Sequence, residues 1–244
     1  MSERTYAQDH FLASRGRSPI PRGRPEPPER RRAAARLASA LRRKDYRGLG
    51  GNHREAVPAS WTVEGGSLKA LVRTDGAQDI RTTETFRSFD LQFDWKILSR
   101  GNSGVKYRIQ NVDEWTNPAG RQARARGLEY QIADDADPDA ASDPRKVAAS
   151  LYSLIAPVPR VRPRIGDFNH SRLLVRGTHV EHWLNGVNVL TFELTDPSVE
   201  ALLRSQLPKG SPADAPLVQS SPISLQNHSS EAWFRNIKIR VLPD

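Results

Sequence analysis

The sequence FDLQFDWKILSRGNSGVKYRIQ, residues 89–110, alternates apolar and polar side chains on both sides of a short glycine-containing segment. Apolar residues fall at every second position of residues 89–97, which is the period of a β-strand with one buried and one exposed face. Residues 101–104 then supply Gly and Asn, which tolerate the positive φ of a turn, before the alternation resumes. The stretch therefore predicts a long β-hairpin or an equivalent strand–turn–strand pair. The apolar face that we expect between two sheets consists of Leu91, Phe93, Trp95, Tyr107 and Ile109.

From residue 61 onwards, the chain consists of short runs of β-forming residues separated by turn signals. Besides the stretch above, these runs occupy residues 61–63, 67–73, 128–133, 150–154, 171–176, 179–184, 189–194, 223–227 and 232–241. Asn185-Gly186 joins two of them and is a strong signal for a two-residue hairpin. Residues 198–206, which follow Asp196-Pro197, form the one segment that we predict to be a helix. About ten strands with one short helix predict an all-β sandwich.

Two long polar segments, residues 111–127 and 133–149, are rich in Arg, Asp, Pro and Ala. We predict that both are loops over one rim of the sandwich. Because rims of rigid β scaffolds commonly bind ligands, a site is expected on the polar strand faces beside these loops.

The formal charge of +9 is concentrated near the amino terminus. Residues 1–50 hold 13 basic and 5 acidic side chains, so the rest of the chain is nearly neutral. Because residues 1–45 contain few large apolar groups, we predict a disordered basic leader there and one folded domain over residues 46–244. Removing the leader is expected to leave the melting temperature of the domain nearly unchanged. The leader has few aromatic residues for base stacking, so nucleic acid is not an expected partner.

Composition also limits the kinds of site and the compartment. The chain has no cysteine, which excludes disulfides and thiolate metal sites. No apolar run approaches the roughly 18 residues of a membrane span. The first residues lack the apolar segment of a signal peptide, so none is predicted and no compartment is assigned.

One predicted strand, with the sequence GLEYQI, points Glu129 and Gln131 to the face opposite its apolar residues. Sandwich-fold glucanases place two carboxylates on such a strand as acid and nucleophile, whereas the second position here is an amide. Gln226 and His228 share the polar face of another run. Ordinary alternatives stay open, because Glu129 could pair with Arg108 and His228 could be a hydrogen-bonded surface histidine.

Seven short motifs occur in order along the chain: WTVEGG at residues 61–66, FDL at 89–91, NSG and YR within 102–108, GLEYQ at 127–131, HWLNG at 182–186, LQNH at 225–228 and FRNIKI at 234–239. Together they resemble the 3-keto-disaccharide hydrolase domain family, first catalogued as a domain of unknown function. The resemblance covers about residues 45–242. It implies a concanavalin-A-like jelly roll that cleaves 3-keto-glycosides, as a hydrolase or a lyase, downstream of a sugar 3-dehydrogenase. Members of this family are often exported.

The resemblance also implies a chemistry. A ketone at C3 acidifies the hydrogen on C2, so a base can remove it, the group at C1 can leave by elimination, and water can add. On this reading Glu129 is the base, Arg108 and Asn102 donate to the ketone or enolate oxygen, and His228 is the acid or a metal ligand. The residues expected to bind the sugar are Asn102, Gln131, Tyr152, Asn169 and Gln226. A divalent ion could polarise the C2 and C3 oxygens, although no dense ligand spacing demands one.

A different class of function fits the same fold. A lectin-like module would hold a sugar on the same face without converting it, and the fold alone does not separate the two functions. Turnover of a 3-keto-glycoside is the observation that distinguishes them.

Overall fold

The computed structural model describes residues 48–51, 56–73, 76–117 and 120–243, and the predicted leader, residues 1–45, lies outside them. The described strands are β1 Leu49–Gly50, β2 Trp61–Glu64, β3 Ser67–Ala70, β4 Ile80–Thr82, β5 Phe89–Ile97, β6 Asn102–Asn117, β7 Gly120–Ala133, β8 Asn169–Arg176, β9 His179–Leu184, β10 Val187–Glu193, β11 Ser224–Leu225 and β12 Ala232–Val241. They form a five-stranded sheet, in the order β1-β4-β11-β6-β7, and a seven-stranded sheet, in the order β10-β9-β8-β5-β12-β3-β2. The predicted all-β jelly-roll sandwich is confirmed.

The two strands of residues 89–110 lie in different sheets. β5 pairs with β8 and β12 in the seven-stranded sheet, whereas β6 pairs with β7 and β11 in the five-stranded sheet. The Gly101 amide donates to the Leu98 carbonyl (2.9 Å) and closes the turn between the strands. A Cβ on Gly101 would lie 2.8 Å from that oxygen, so the turn requires glycine. The strand–turn–strand prediction is right and the hairpin alternative is wrong, because alternation fixes the faces of a strand but not its partner.

The apolar face of this stretch forms the core between the sheets. Leu91, Phe93, Trp95 and Tyr107 belong to this core and are at most 2% exposed, as predicted, whereas Ile109 is buried (5% exposed) outside the cluster that they form. Polar side chains also connect the sheets inside this core. Tyr107 on β6 donates to Nε2 of His182 on β9 (2.9 Å), and the Tyr130 and Ser171 hydroxyls lie 2.7 Å apart.

The segments predicted as loops contain regular structure. Residues 111–117 and 120–127 extend β6 and β7 into a two-stranded ribbon. Within residues 133–149, a short helix, Pro138–Ser142, precedes a 3-10 turn, Pro144–Lys146. Both loop predictions are therefore wrong in detail, and a second helix was missed.

Of two further predictions, the helix at residues 198–206 is right and the strand at residues 150–154 is wrong. The helix Pro197–Ser205 is confirmed, and it buries Val199 and Leu203, one turn apart. The strand is wrong, since Leu151 makes only isolated bridges and Ser153 has a φ of 62°. No helix of the described residues is long and apolar enough to cross a membrane.

Candidate active site

A cavity of about 320 Å³ opens on the outer face of the five-stranded sheet. Its walls come from β6, β7, the turn at residues 150–155, the end of the helix Pro197–Ser205, and the segment after β11. Six of the eight predicted site residues line it: Asn102, Glu129, Gln131, Tyr152, Gln226 and His228. The polar parity of β6 and β7 accounts for Asn102, Glu129 and Gln131, whereas Tyr152 comes from a turn and Gln226 and His228 follow β11.

Glu129 occupies the floor of the cavity at a position that Gly104 makes possible. Glu129 lies opposite Lys106 in the β6–β7 ladder, and Gly104 lies opposite Gln131. A Cβ built on Gly104 would overlap Oε1 of Glu129 and lie 2.9 Å from its Cδ. The carboxylate therefore rests directly over the glycine backbone.

The surroundings of Glu129 favour its neutral form more than water does. Its side chain is only 12% exposed, and burial raises the pKa of Glu129 above its usual value. The positive charges of Lys106 and Arg124 oppose this shift, and the carboxylate of Asp79 adds to it. A carboxylate whose pKa is moved toward neutrality is suited to accept a proton from carbon.

Lys106 links Glu129 to a second buried carboxylate. Its Nζ lies 3.3 Å from Oδ2 of Asp79 and 4.0 Å from Oε2 of Glu129. Oδ1 of Asp79 accepts from the backbone amide of Asn227 (3.1 Å), which stands between Gln226 and His228. Asp79 therefore fixes both the lysine and the segment that bears two cavity residues.

Amide side chains surround the carboxylate. In the orientation that satisfies both of its ends, the Gln131 amide donates to Oε1 of Glu129 (3.1 Å) and to the Ser103 carbonyl (3.2 Å). Asn102 donates to Oδ1 of Asp137 (3.4 Å), the residue that caps the helix Pro138–Ser142. The amide of Gln131 thus holds the Glu129 carboxylate in place where a sandwich glucanase would have a second acid.

Tyr152 and His228 also line the cavity. The backbone amide of Tyr152 donates to the carbonyl of Glu129 (3.1 Å), which ties the turn to β7. Burial raises the pKa of the Tyr152 phenol, so the phenol stays protonated and can donate a hydrogen bond. His228 is exposed at the rim.

Two predicted site residues lie elsewhere. Arg108 has a φ of 50° beside a bulge in β6, and its guanidinium donates to the carbonyls of Gln219 and Gly177 at a separate cavity. Asn169 begins β8 in the other sheet, where it accepts from the amide of Arg164 (2.8 Å) and donates to its carbonyl (2.9 Å). The predicted convergence is therefore right for Glu129, Gln131 and His228 and wrong for Arg108.

The sequence reasoning missed several lining residues. Lys106 shares the polar parity that identified its neighbours, so that signal was available. Arg124 and Arg126 were assigned to a loop, and Leu202 and Gln206 belong to the helix end.

The polar face of β5 carries ion pairs. Asp90 is 5% exposed and pairs with Arg172 (2.8 Å) and Arg240 (2.9 Å). This face belongs to the seven-stranded sheet and does not line the cavity.

The described residues contain no group of three or more His, Asp or Glu side chains arranged to hold a metal ion. A divalent ion at this cavity stays a prediction.

The chain resembles proteins whose names refer to carbohydrate cleavage. A relative from Bacteroides thetaiotaomicron, named 3-keto-disaccharide hydrolase, is 31% identical over 222 residues, which cover 82% of this chain and 76% of the relative. Two crystal structures of candidate glycosyl hydrolases from Parabacteroides distasonis share the fold. One has a TM-score of 0.68 at 24% identity and covers 89% of this chain and 98% of that one. The other has a TM-score of 0.59 at 27% identity and covers 80% and 94%.

A family model described as the 3-keto-alpha-glucoside-1,2-lyase-like domain matches residues 44–240. That match includes every strand of the sandwich that contributes to the cavity. With most of its length matched and a relative at 31% identity, the chain belongs to the 3-keto-alpha-glucoside-1,2-lyase-like domain family.

Proposed function

We propose that this cavity cleaves 3-keto-glycosides and that Glu129 is the base that removes the C2 proton. The observation that supports this most is that Glu129 is the one carboxylate among the described residues that line the cavity, and that its neighbour two residues along the strand is the amide Gln131. A retaining or inverting glycosidase needs two carboxyl groups that flank C1. Elimination beside a ketone needs one base, and the named relative is a 3-keto-disaccharide hydrolase.

The reaction follows from the acidity of the C2 hydrogen. Glu129 takes that proton while the C2–H electron pair forms a C2=C3 double bond and the ketone becomes an enolate. When the enolate returns to a ketone, a C1=C2 double bond forms, the C1–O bond breaks, and the leaving oxygen takes a proton. If water then adds at C1 and the proton returns to C2, the net reaction is hydrolysis. Release of the unsaturated sugar makes it a lyase.

The other cavity residues have roles that fit their chemistry. Asn102 can donate to the ketone oxygen, and Gln131 orients the carboxylate of Glu129. Tyr152 and Gln226 face the same space and can bind sugar hydroxyls. His228 lines the cavity and is exposed, which supports a role as the acid that protonates a leaving group extending toward solvent. Since the substrate must carry a ketone at C3, we expect a sugar 3-dehydrogenase to supply it.

The test compares a 3-keto-glycoside with the same glycoside that carries a hydroxyl at C3. We expect the purified chain to release the aglycone from the first and not from the second, because only the ketone acidifies C2. Glu129→Gln keeps the size and hydrogen bonding of the side chain but removes the basic oxygen. This variant should lose at least about 100-fold in turnover, the low end for general-base catalysis, while it still binds substrate.

The contrary results are equally specific. Binding of the 3-keto-glycoside without turnover by the wild type would indicate a lectin-like module. Unchanged turnover by Glu129→Gln would show that another group is the base.

A further inference from the structure

The enolate in the proposed reaction needs a positive partner, and Arg108, the cation that the sequence suggested, is remote from the cavity. Lys106 is the lining cation that neighbours Glu129 across the ladder. Its side chain is only 4% exposed, so its charge acts in a poorly solvated space where electrostatic interactions are strong.

We propose that Lys106 is a further catalytic residue that stabilises the enolate oxygen, and that Asp79 is a positioning residue that holds the ammonium group in place. This inference rests on the proposed cleavage of 3-keto-glycosides and names the group that stabilises its intermediate.

The distance between the ammonium and the base fits this role. A base that removes the C2 proton lies about 3 Å from C2, and the ketone oxygen is attached to the next carbon. A donor to that oxygen must therefore lie within a few ångströms of the base. The Lys106 Nζ is 4.0 Å from Oε2 of Glu129, and both residues line the cavity that would hold the substrate.

The charges also balance through the step. Before proton transfer, the ammonium group lies between two carboxylates, those of Asp79 and Glu129. When Glu129 accepts the C2 proton, its negative charge disappears and an equal charge forms on the enolate oxygen. Lys106 then interacts with the enolate instead of with Glu129, so the net charge of the cavity does not change. Preorganised donors of this kind are a major source of catalysis.

Asp79 keeps the ammonium group of Lys106 fixed while the negative charge moves from Glu129 to the enolate oxygen. Its own side chain is 5% exposed, and it accepts from Lys106 on one oxygen and from the Asn227 amide on the other. An ammonium has three donors, and Asp79 is its hydrogen-bond partner among the described residues, so donors remain for a substrate oxygen.

The first test is the pH profile of Lys106→Met. We expect kcat at the pH plateau to fall at least about 100-fold, the usual cost of losing an oxyanion donor, with KM changed much less. The acid limb should also move to higher pH, since loss of the positive charge makes Glu129 harder to ionise. The other charged or titratable groups that face Glu129 or line its cavity are Asp79, Arg124, Arg126, Tyr152 and His228.

A merely structural counter-ion would give a different profile. In that case, the acid limb would move but the plateau rate would return to the wild-type value once Glu129 is ionised. That recovery would overturn the role of Lys106.

The chain offers a clean rescue experiment because it has no cysteine. Lys106→Cys can be alkylated with bromoethylamine in denaturant and refolded, which restores an ammonium group on a side chain of nearly the same length. We expect the alkylated variant to regain most of the plateau rate, and wild type treated in the same way serves as the control. Failure of rescue in a folded protein that binds substrate would contradict the proposal.

Two further variants control for misfolding of Lys106→Met and test the role of Asp79. Lys106→Met leaves Asp79 buried without its partner, so the double variant with Asp79→Asn removes both charges and should be the better folded protein. It should show the same plateau loss as Lys106→Met. Asp79→Asn alone keeps an acceptor for Asn227 and should lower kcat less than Lys106→Met does. A loss in the double variant well beyond that of Lys106→Met would show that Asp79 does not act through Lys106 and would overturn its positioning role.

Failure of this inference can be told from failure of the proposed function. If the wild type converts no 3-keto-glycoside, both fail. If the wild type converts it and Lys106→Met keeps the plateau rate, only the role of Lys106 is wrong.

Discussion

Gly104 shows how the absence of a side chain leaves room for the carboxylate of Glu129. A Cβ at this position would occupy the space of the Glu129 carboxylate, whose carbon lies 2.9 Å from the ideal Cβ position. Gly104→Ala should therefore displace the carboxylate and lower kcat by about 10- to 100-fold, since a shift of about 1 Å at a reacting group has costs of this size. Steady-state kinetics with a 3-keto-glycoside provide the measurement.

The matched control for Gly104→Ala is the double variant with Glu129→Gln. If the alanine acts through Glu129, it adds little further loss once the base has been removed. Additive losses, or a melting temperature lowered by many degrees, would instead indicate general damage to the sheet.

Single residues also show where sequence reasoning succeeds. Glu129 and Gln131 project to the cavity because β7 is regular and parity alone determines their face. Arg108 was misplaced because the ladder between β6 and β7 shifts register after Tyr107, and a bulge re-aims the side chains beyond it. Asp79 could not be found, because its contact with Lys106 depends on how the strands pair.

At the scale of elements, the ribbon formed by the ends of β6 and β7 bears part of the cavity wall. Trp115, 42% exposed, stacks beneath the guanidinium of Arg124 at 5.9 Å from its ring centre. Trp115→Ala removes a contact of about 0.5–1 kcal/mol at an exposed site, so the fold should tolerate it. Because Arg124 lines the cavity, we expect KM for a 3-keto-glycoside to rise several-fold with kcat and melting temperature nearly unchanged.

Trp115→Phe tests the same contact with an aromatic face retained. Its KM should lie near the wild-type value. An unchanged KM in Trp115→Ala would show that the ribbon does not contribute to substrate binding.

The bounds of an element could be predicted only where one face packs against the core, because apolar and polar residues then alternate along the strand. β5 has apolar residues at every second position, and its bounds agree with the prediction. The ribbon projects from the sandwich, and its residues 114–116 are exposed. Because no core lies against it, its sequence lacks an apolar stripe and resembles that of a loop. Which strands share a sheet also depends on distant partners, and this explains the wrong hairpin alternative.

At the scale of the whole molecule, His182 connects the two sheets and links stability to pH. Burial lowers the pKa of His182 to about 4, although a hydrogen bond to the Ala149 carbonyl opposes the shift. The unfolded chain takes up a proton near pH 6.5, whereas the folded protein does so only near pH 4. The free energy of unfolding should therefore fall as the pH drops through this window, by about 3 kcal/mol for this group.

Denaturant unfolding of wild type and His182→Gln between pH 7.5 and pH 4 measures this contribution. Gln does not titrate, and every other carboxylate and histidine is common to both proteins. We expect the difference in stability between the two proteins to shrink toward acid pH. Parallel pH curves would show that His182 is not buried in its neutral form.

The fate of the hydrogen on C2 tests the central claim most directly. A 3-keto-glycoside that carries deuterium at C2 should lose the label to water as the wild type cleaves it, because elimination must break that bond. Glu129→Gln should reduce label release and cleavage together, by at least about 100-fold, and incubation without protein gives the background exchange. Cleavage by the wild type with the C2 deuterium fully retained in the sugar product and with no primary deuterium isotope effect on turnover would contradict the mechanism, because retention alone could reflect return of the same deuteron from Glu129 to C2.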